Sequence, residues 1–520
     1  MSVVVRLLED AKASAARGQL SEAHRVCLEI LTLDRTVTAA WSLLGDIAWS
    51  VGDLPTSARM FQRASTLDPE SPLLLARLSS TLVALNAFGE ARAAADRALA
   101  LHPDDPLTLE ILAVTLNQVS AFGEAAALFA KAAALAPDRP GLLLNLAFAQ
   151  QHAGDLTTAE QTLRRLVDIE PDNERAQLAL VESVRQTPQA NAVNRLAAMF
   201  EAAAEPGRRL ALGHALAKSF DDLGDPQSAL AWLDRAKASH RQIAAYDADA
   251  DRRMADAAHD WRPGPAGPAP ADAPIFVVGM PRTGTTLVER ILSSHPDVAS
   301  IGESLLFPAL AKQAARWTGP LAGAAVFQGL DGINPPGLGE AYMRAAQALA
   351  STKPRLLDKL PFNFLYAGLI HQALPSARIV CLRRDPMDTC LANYRQLFGE
   401  ASPFHDYAHD LGDIARYYVG FDRLIARWRA ALPADRFMEL GYEDLIARPE
   451  AESRRLVGFC GLTWDDRCLA FHENRAGVAT ASASQVRQPL YASSIGRWRA
   501  YGDGLGAAAD VLRDACIVSA

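Results

Sequence analysis

The chain has 520 residues, of which 50% are apolar and 22% are charged, and its net charge is −8. This length exceeds one ordinary hydrophobic core, so we expect two or more domains. The acidic balance argues against bulk electrostatic binding to nucleic acid or to an anionic membrane. No apolar run reaches about 18 residues, so we expect no membrane span.

The ends of the chain and its cysteines indicate a compartment. Residues 1–12 contain an apolar stretch that is too short for a signal peptide, and acidic residues follow it. The six cysteines are dispersed and form no CxxC pair. These features predict a reducing cytoplasm and no structural zinc.

The first third of the chain repeats with a period of 34 residues. Three independent sets of positions share this period: Pro69, Pro103, Pro137 and Pro171; Leu44, Leu78, Leu112 and Leu146; and Ala23, Ser57, Ala91, Ala125 and Ala159. The pattern resembles the tetratricopeptide repeat, a helical hairpin whose apolar face is buried by stacking on the next unit.

Composition divides the rest of the chain. We expect tetratricopeptide repeats over residues 1–180 and degenerate helical repeats over 181–260. Residues 261–274 hold five prolines and two glycines and read as a linker. From 275 to 520, short apolar runs alternate with helical stretches, which predicts an α/β domain with a parallel sheet. The predicted strands are 275–280, 355–359, 377–382 and 435–442.

Residues 274–290, PIFVVGMPRTGTTLVER, read as a strand, a glycine-rich and threonine-rich turn, and a helix. Such a turn presents backbone N–H groups and a helix N-terminus to an anion. The nucleotide triphosphate loop, GxxxxGK[ST], has lysine where this chain has Thr285. Its absence argues against triphosphate and Mg²⁺ chemistry. A loop that only binds an anion, or no ligand, is the alternative interpretation.

Residues 377–393 read as a strand, an R-D-P sequence and a helix, with Arg384 at the carboxyl end of the strand. Parallel sheets bind ligands at that end. Taken alone, Arg384 is explained equally well as a surface arginine paired with Asp385 or Asp388.

Together the two motifs resemble the sulfotransferases that use 3′-phosphoadenosine-5′-phosphosulfate (PAPS), with a P-loop-like fold. The likeness extends from residue 274 to the end and is greatest to the tyrosylprotein sulfotransferases and their bacterial relatives fused to tetratricopeptide repeats. It implies that the first motif binds the 5′-phosphosulfate and the second the 3′-phosphate. The implied loop ligands are Arg282, Thr283, Gly284, Thr285 and Thr286.

The resemblance also implies catalytic residues. Glu303 lies 21 residues after Arg282, at the position of the family's catalytic glutamate, and is the expected general base. Lys359 matches the catalytic lysine that stabilises the leaving phosphate, and Arg282 would assist. His295 is the rival base, although its place after a helix favours a structural role.

Further likeness lies near the C-terminus. Ser482 and Arg497 fall 15 residues apart, where the family has a cofactor-contacting serine and lysine. One departure concerns the 3′-phosphate, because Ala392 stands where the family usually has a serine. We expect the neighbouring Asn393 to compensate.

The sequence therefore predicts a cytoplasmic, bacterial sulfotransferase that uses PAPS, needs no metal, and acts on an acceptor hydroxyl, with protein tyrosine favoured. The repeats would hold an acceptor protein or peptide, or would mediate homo-oligomerisation. Two alternatives stay open: a non-catalytic repeat scaffold with a decayed nucleotide-binding domain, and a nucleotide kinase or NTPase.

Overall fold

A computed structural model of the chain describes residues 3–137, 139–241, 246–262, 274–321, 323–349, 353–399, 404–474, 476–477 and 485–518. It divides into two compact units, residues 1–162 and 163–520. Most of the predicted linker, 261–274, and the predicted ligand Ser482 lie outside the described residues.

Helices make up the amino-terminal part of the chain, and most of them are 13 or 14 residues long. Their bounds are α1 Val3–Ala16, α2 Leu20–Leu33, α3 Thr38–Ser50, α4 Leu54–Leu67, α5 Pro72–Ala84, α6 Phe88–Ala100, α7 Pro106–Gln118, α8 Phe122–Leu135, α9 Pro140–Ala153 and α10 Leu156–Ile169. The odd-numbered helices begin at intervals of about one 34-residue repeat. The predicted helical hairpins are confirmed.

The repeated positions explain how these hairpins close. All five small residues of the repeat are fully buried: Ala23, Ser57, Ala91, Ala125 and Ala159. In the second unit the hydroxyl of Ser57 donates to the carbonyl of Gly45 at 2.9 Å, so the two helices lie in close contact. The turn before α4 uses Gly52 at φ +79° and Asp53, whose carboxylate accepts from the N–H of Thr56.

Helices continue to residue 260 in the second unit. They are α11 Glu174–Ser183, α12 Val193–Ala202, α13 Pro206–Asp222, α14 Pro226–Arg241 and α15 Ala248–Asp260. We call 163–260 the helical segment. Ala217, Leu230 and Met254 of this segment belong to the same hydrophobic core as the sheet that follows.

The sheet has five parallel strands in the order β2-β3-β1-β4-β5. They are β1 Ile275–Gly279, β2 Val298–Ser300, β3 Arg355–Asp358, β4 Arg378–Arg383 and β5 Phe437–Gly441. Four of them coincide with the predicted strands to within two residues. The edge strand β2, which has three residues, was not predicted, because so short a run carries no periodic signal.

Helices cover both faces of the sheet. They are α16 Thr285–Ser293, α17 Leu306–Ala314, α18 Ala324–Gln328, α19 Pro335–Leu349, α20 Ala367–Ala373, α21 Pro386–Tyr394, α22 Leu411–Ala431, α23 Tyr442–Ala447, α24 Pro449–Phe459 and α25 Gly506–Asp514. Alternate residues of β1 enter different cores: Phe276 and Val278 face one, Ile275 and Val277 the other. The predicted fold class, helical repeats followed by a parallel α/β sheet, is confirmed.

The described helices include none that is both long enough and apolar enough to cross a bilayer. All six cysteines are free thiols, and Cys516 alone among them is exposed.

The close contact between α13 and α14 provides a test of the packing. A Cβ atom on Gly213 would lie 2.3 Å from the Cβ of Ala236, whereas one on the exposed Gly458 of α24 would meet nothing within 4 Å. We expect Gly213→Ala to destabilise the protein by about 1–3 kcal/mol through overpacking. Gly458→Ala should be neutral or slightly stabilising, because alanine favours helix. Thermal unfolding of both variants checks this; an unchanged melting temperature for Gly213→Ala would contradict the packing.

Candidate active site

The strand order brings four segments of the chain to one edge of the sheet. β1 is central and pairs with β3 on one side and β4 on the other, so the carboxyl end of β1 is a topological switch point. Glu303 follows β2, Lys359 follows β3, and Arg384 follows β4. The predicted phosphate loop follows β1, so these predicted residues share the edge at which open α/β sheets bind ligands.

The loop after β1 is tightly constrained. Gly279 has φ +147°, and a Cβ there would lie 2.7 Å from the carbonyl oxygen of Leu382 on β4. Gly284 has φ +102°, and a Cβ there would lie 2.7 Å from the ring of Tyr442. Both positions therefore need glycine. Arg282 adopts φ +64°, a conformation that is uncommon for a side-chain-bearing residue and typical of functional turns.

The three threonines of the loop differ in role. Thr283 donates its hydroxyl to the carbonyl of Met280 at 2.7 Å, which closes the loop from inside. Thr285 and Thr286 occupy the first turn of α16, where backbone N–H groups lack intrahelical acceptors and the helix dipole favours an anion.

Lys359 is the electrostatic centre of the site. Its ammonium group is fully buried and forms ion pairs with Glu303 and, at 3.4 Å, with Glu289 of α16. Burial alone would lower the pKa of Lys359, but the two carboxylates outweigh it and raise the pKa above its ordinary value. Lys359 is therefore a charged group at neutral pH.

The two carboxylates around Lys359 are not equivalent. The side chain of Glu303 is 41% exposed, whereas that of Glu289 is 11% exposed and accepts a 2.6 Å hydrogen bond from the hydroxyl of Ser300. Glu303 can therefore meet a molecule arriving from solvent, while Glu289 is held against the lysine. A backbone hydrogen bond from the N–H of Lys359 to the carbonyl of Gly302 fixes the two strand ends together.

Asp358 points away from Lys359, as expected for neighbouring residues of a strand. It is fully buried and accepts hydrogen bonds from the hydroxyl of Tyr342 at 2.8 Å and the amide of Asn363 at 3.2 Å. Burial raises the pKa of Asp358 to about 7. Asp358 thus supports the strand end from the core.

Arg384 links the two sequence motifs. Its guanidinium donates to the carbonyls of Arg282 at 3.0 Å and Ser494 at 2.6 Å, and it stacks on the ring of Tyr442 with 4.9 Å to the centroid. Its Nε is buried and meets no acceptor among the described residues. Burial, with the charges of Arg395 and Arg384, lowers the pKa of Arg282 to about 10. The loop end is therefore strongly cationic.

Asn393 does not have the geometry expected of it. Both of its amide hydrogens are used, in bonds to the carbonyls of Pro281 at 2.8 Å and Thr389 at 2.9 Å, and its oxygen accepts from Tyr407 at 3.0 Å. No hydrogen remains to donate to an anion in place of the serine that Ala392 replaces. This geometry favours a role in fixing the loop through Pro281.

Arg497 and the unpredicted Arg395 complete the cationic edge. Both bind the carboxylate of Asp221 on α13, Arg497 at 3.3 Å. Arg395 gives no motif signal in sequence, because it matters only through its place at the end of α21.

His295 is engaged on both ring nitrogens. Nε2 lies 2.8 Å from the carbonyl of Thr463, and Nδ1 accepts from the N–H of Asp297 at 3.2 Å. This arrangement is structural and leaves no nitrogen to act as a base. Within the described part of the chain, no group of three or more His, Cys, Asp or Glu side chains could hold a metal ion.

Comparisons with known proteins place this geometry in context. Residues 274–466 match the model of the sulfotransferase family. Residues 118–182 match a tetratricopeptide repeat model. The predicted resemblance to repeats joined to a sulfotransferase domain is confirmed.

Relatives match mainly over the carboxy-terminal half. An uncharacterized protein of Aquifex aeolicus is 34% identical over 47% of this chain and 33% of its own length. Protein-tyrosine sulfotransferase A of Caenorhabditis elegans is 26% identical over 43% of this chain and 60% of its own. For the protein-tyrosine sulfotransferase of Drosophila melanogaster the figures are 24%, 46% and 48%. The chain thus spans less than two thirds of each of these relatives.

One solved structure that resembles the chain is the sulfotransferase domain from the curacin biosynthetic pathway. It has 15% identity and a TM-score of 0.34, and the match covers 48% of this chain and all of that domain.

Glu289 is the residue of the lysine site that sequence reasoning missed. A charged residue on a helix that is buried along nearly its whole length was the available signal. We expect Glu289→Gln to destabilise the protein by about 1–3 kcal/mol, because buried Lys359 loses one of two counter-charges. Denaturant unfolding measures the loss.

Lys359→Met provides the control, since the loss from Glu289→Gln should nearly vanish in that background. An equal loss in both backgrounds would show that Glu289 acts elsewhere.

Proposed function

We propose that this protein is a sulfotransferase that moves the sulfuryl group of PAPS to an acceptor hydroxyl. The observation that carries the proposal is the buried Lys359, paired with an accessible Glu303 at the carboxyl edge of the sheet, next to a phosphate-type loop. The match of residues 274–466 to the sulfotransferase family supports the same reaction class.

The residues present fit a donor that carries two phosphate groups. The amides of the loop and of the first turn of α16, with Arg282, Thr285 and Thr286, would hold the 5′-phosphosulfate. Arg384, with a buried Nε that lacks a partner among the described residues, would bind the 3′-phosphate. Arg497 would add a further positive charge near the loop.

The catalytic roles follow from exposure and charge. Glu303 would accept the proton of the acceptor hydroxyl, because it is the carboxylate of the pair that solvent reaches. Lys359, already charged and held by Glu289, would stabilise the negative charge that grows on the leaving phosphate oxygen. Since the lysine is preorganised in a buried site, little reorganisation is needed when that charge develops.

The bond changes balance. The acceptor oxygen forms a bond to sulfur while the bond from sulfur to the bridging phosphate oxygen breaks, in line. The hydroxyl proton passes to Glu303, and the electron pair leaves on the phosphate. PAPS supplies an activated sulfuryl group, and the protein's own work is positioning and charge stabilisation.

The acceptor is proposed from the relatives. Two of them bear the name protein-tyrosine sulfotransferase, which favours a tyrosine hydroxyl in a protein. The repeats provide the kind of helical surface that binds extended peptides, and they would present such an acceptor. Self-association is the competing role for the repeats.

Donor binding is the first test. Isothermal titration with adenosine 3′,5′-bisphosphate should show one site per chain, and Arg384→Gln should weaken it at least about tenfold through loss of charge-assisted bonds. Arg454→Gln, at an exposed pair with Glu450, is the control and should bind normally. Absence of binding by the wild type would favour a decayed scaffold, and Mg²⁺-dependent ATP turnover would favour an NTPase.

The base is tested separately. Glu303→Gln should reduce turnover of PAPS by about 100-fold or more, because general-base catalysis contributes on that scale. Its affinity for adenosine 3′,5′-bisphosphate should change little, since the carboxylate faces the acceptor. Glu340→Gln, on the surface of α19, serves as the matched control. Full activity in Glu303→Gln would make the assignment wrong.

The acceptor class is tested with radiolabelled PAPS and a lysate of the host. Label that survives on protein and maps to tyrosine by mass spectrometry would support the proposal. Label confined to carbohydrate or to small molecules would contradict protein tyrosine as the acceptor while leaving the reaction class intact.

A further inference from the structure

Asp221, near the end of α13, joins the helical segment to the cationic edge of the sheet domain. Its carboxylate accepts hydrogen bonds from the guanidinium of Arg395 and the hydroxyl of Tyr501, and it lies 3.3 Å from Nη2 of Arg497. The side chain of Asp221 is 5% exposed, so these contacts are shielded from solvent.

Both arginines lie close to the phosphate-type loop. The charge of Arg395 contributes to the lowered pKa of Arg282. The phenol of Tyr491 lies within electrostatic reach of Arg282, Arg384 and Arg497 together. The arginines held by Asp221 therefore extend the same positive region that Arg384 and the loop create.

A second carboxylate fixes the backbone beside Arg497. Asp388 of α21 accepts the N–H of Gly496 at 2.6 Å and that of Trp498 at 3.0 Å. On the other side, the amide of Gln227 on α14 donates to the carbonyl of Tyr501 at 3.1 Å. Arg497 is thus held from α21 and from the helical segment at once.

Charge balance explains why the position needs an acid. Four guanidinium groups concentrated at one edge repel one another, and a buried site screens that repulsion weakly. Asp221 uses one N–H group of Arg395 and one of Arg497, and an arginine has five. The remaining donors are left in a fixed orientation for an anion, at a low cost in side-chain entropy.

We propose that Asp221 is a positioning residue for donor binding, acting through Arg395 and Arg497, so that the helical segment is an integral part of the PAPS site. This inference rests on the proposed function. It assigns to the region between the repeats and the sheet a role in binding the donor, in addition to packing.

The adjacent residue offers a matched control. Asp222 lies on the same helix and is nearly as buried, but it binds Lys218 at 2.5 Å and the N–H of Gln186 at 2.8 Å. Asp221→Asn and Asp222→Asn each remove one partly buried carboxylate and its ion pairs. Both should lower the melting temperature, and only the first should alter the anion site.

Titration of the full chain with adenosine 3′,5′-bisphosphate tests the proposal. Asp221→Asn should raise Kd about tenfold, as expected for the loss of charge-assisted orientation, whereas Asp222→Asn should bind like the wild type. In steady-state assays Asp221→Asn should raise the KM for PAPS and change kcat little, a split that simple destabilisation does not produce. Unchanged or tighter binding by Asp221→Asn would overturn the inference.

A double-mutant cycle separates action through the arginines from a general effect. In an Arg497→Ala background the additional loss caused by Asp221→Asn should become smaller. An undiminished loss would overturn action through Arg497. If the wild type itself fails to bind the bisphosphate, the proposed function fails; if it binds and Asp221→Asn binds equally, this inference alone fails.

Discussion

A fully buried ammonium group must be compensated, and in this protein the compensation determines how the carboxyl edge of the sheet is built. Lys359 lies between Glu303 and Glu289, which come from the ends of different elements. Two strand ends and the first helix after β1 are thereby held at one point. Because a buried charge is costly unless it is paired, any displacement of β2, β3 or α16 relative to the others is penalised. The site is rigid for the same reason that the lysine stays charged.

Local patterns in the sequence were sufficient to predict the repeats, four of the five strands and the loop after β1. Each depends on interactions within a short stretch of chain: periodic burial, glycine conformations and helix ends. The predicted Glu303, Lys359 and Arg384 came from resemblance, and the structure brings them to one edge. Their catalytic and binding roles stay predictions.

The residues that sequence reasoning missed act over long separations. Glu289 meets Lys359 across 70 positions, and Asp221 meets Arg395 across 174 and Arg497 across 276. Nothing near these residues announces the partner, since only the tertiary fold determines it. Asn393 shows the converse error, because a polar residue in a suitable position was assigned to a ligand before its bonds to Pro281 and Tyr407 could be seen.

The sharing of Asp221 also bears on how such proteins can be recombined. A chain boundary drawn at the proline-rich stretch near residue 270 would separate the arginines from their acid and expose the core residues that α13 and α14 cover. A boundary in the repeats before residue 163 would leave those contacts within one unit. Exchange of recognition modules between related enzymes, in evolution or by design, is therefore expected to involve only the repeats upstream of the helical segment.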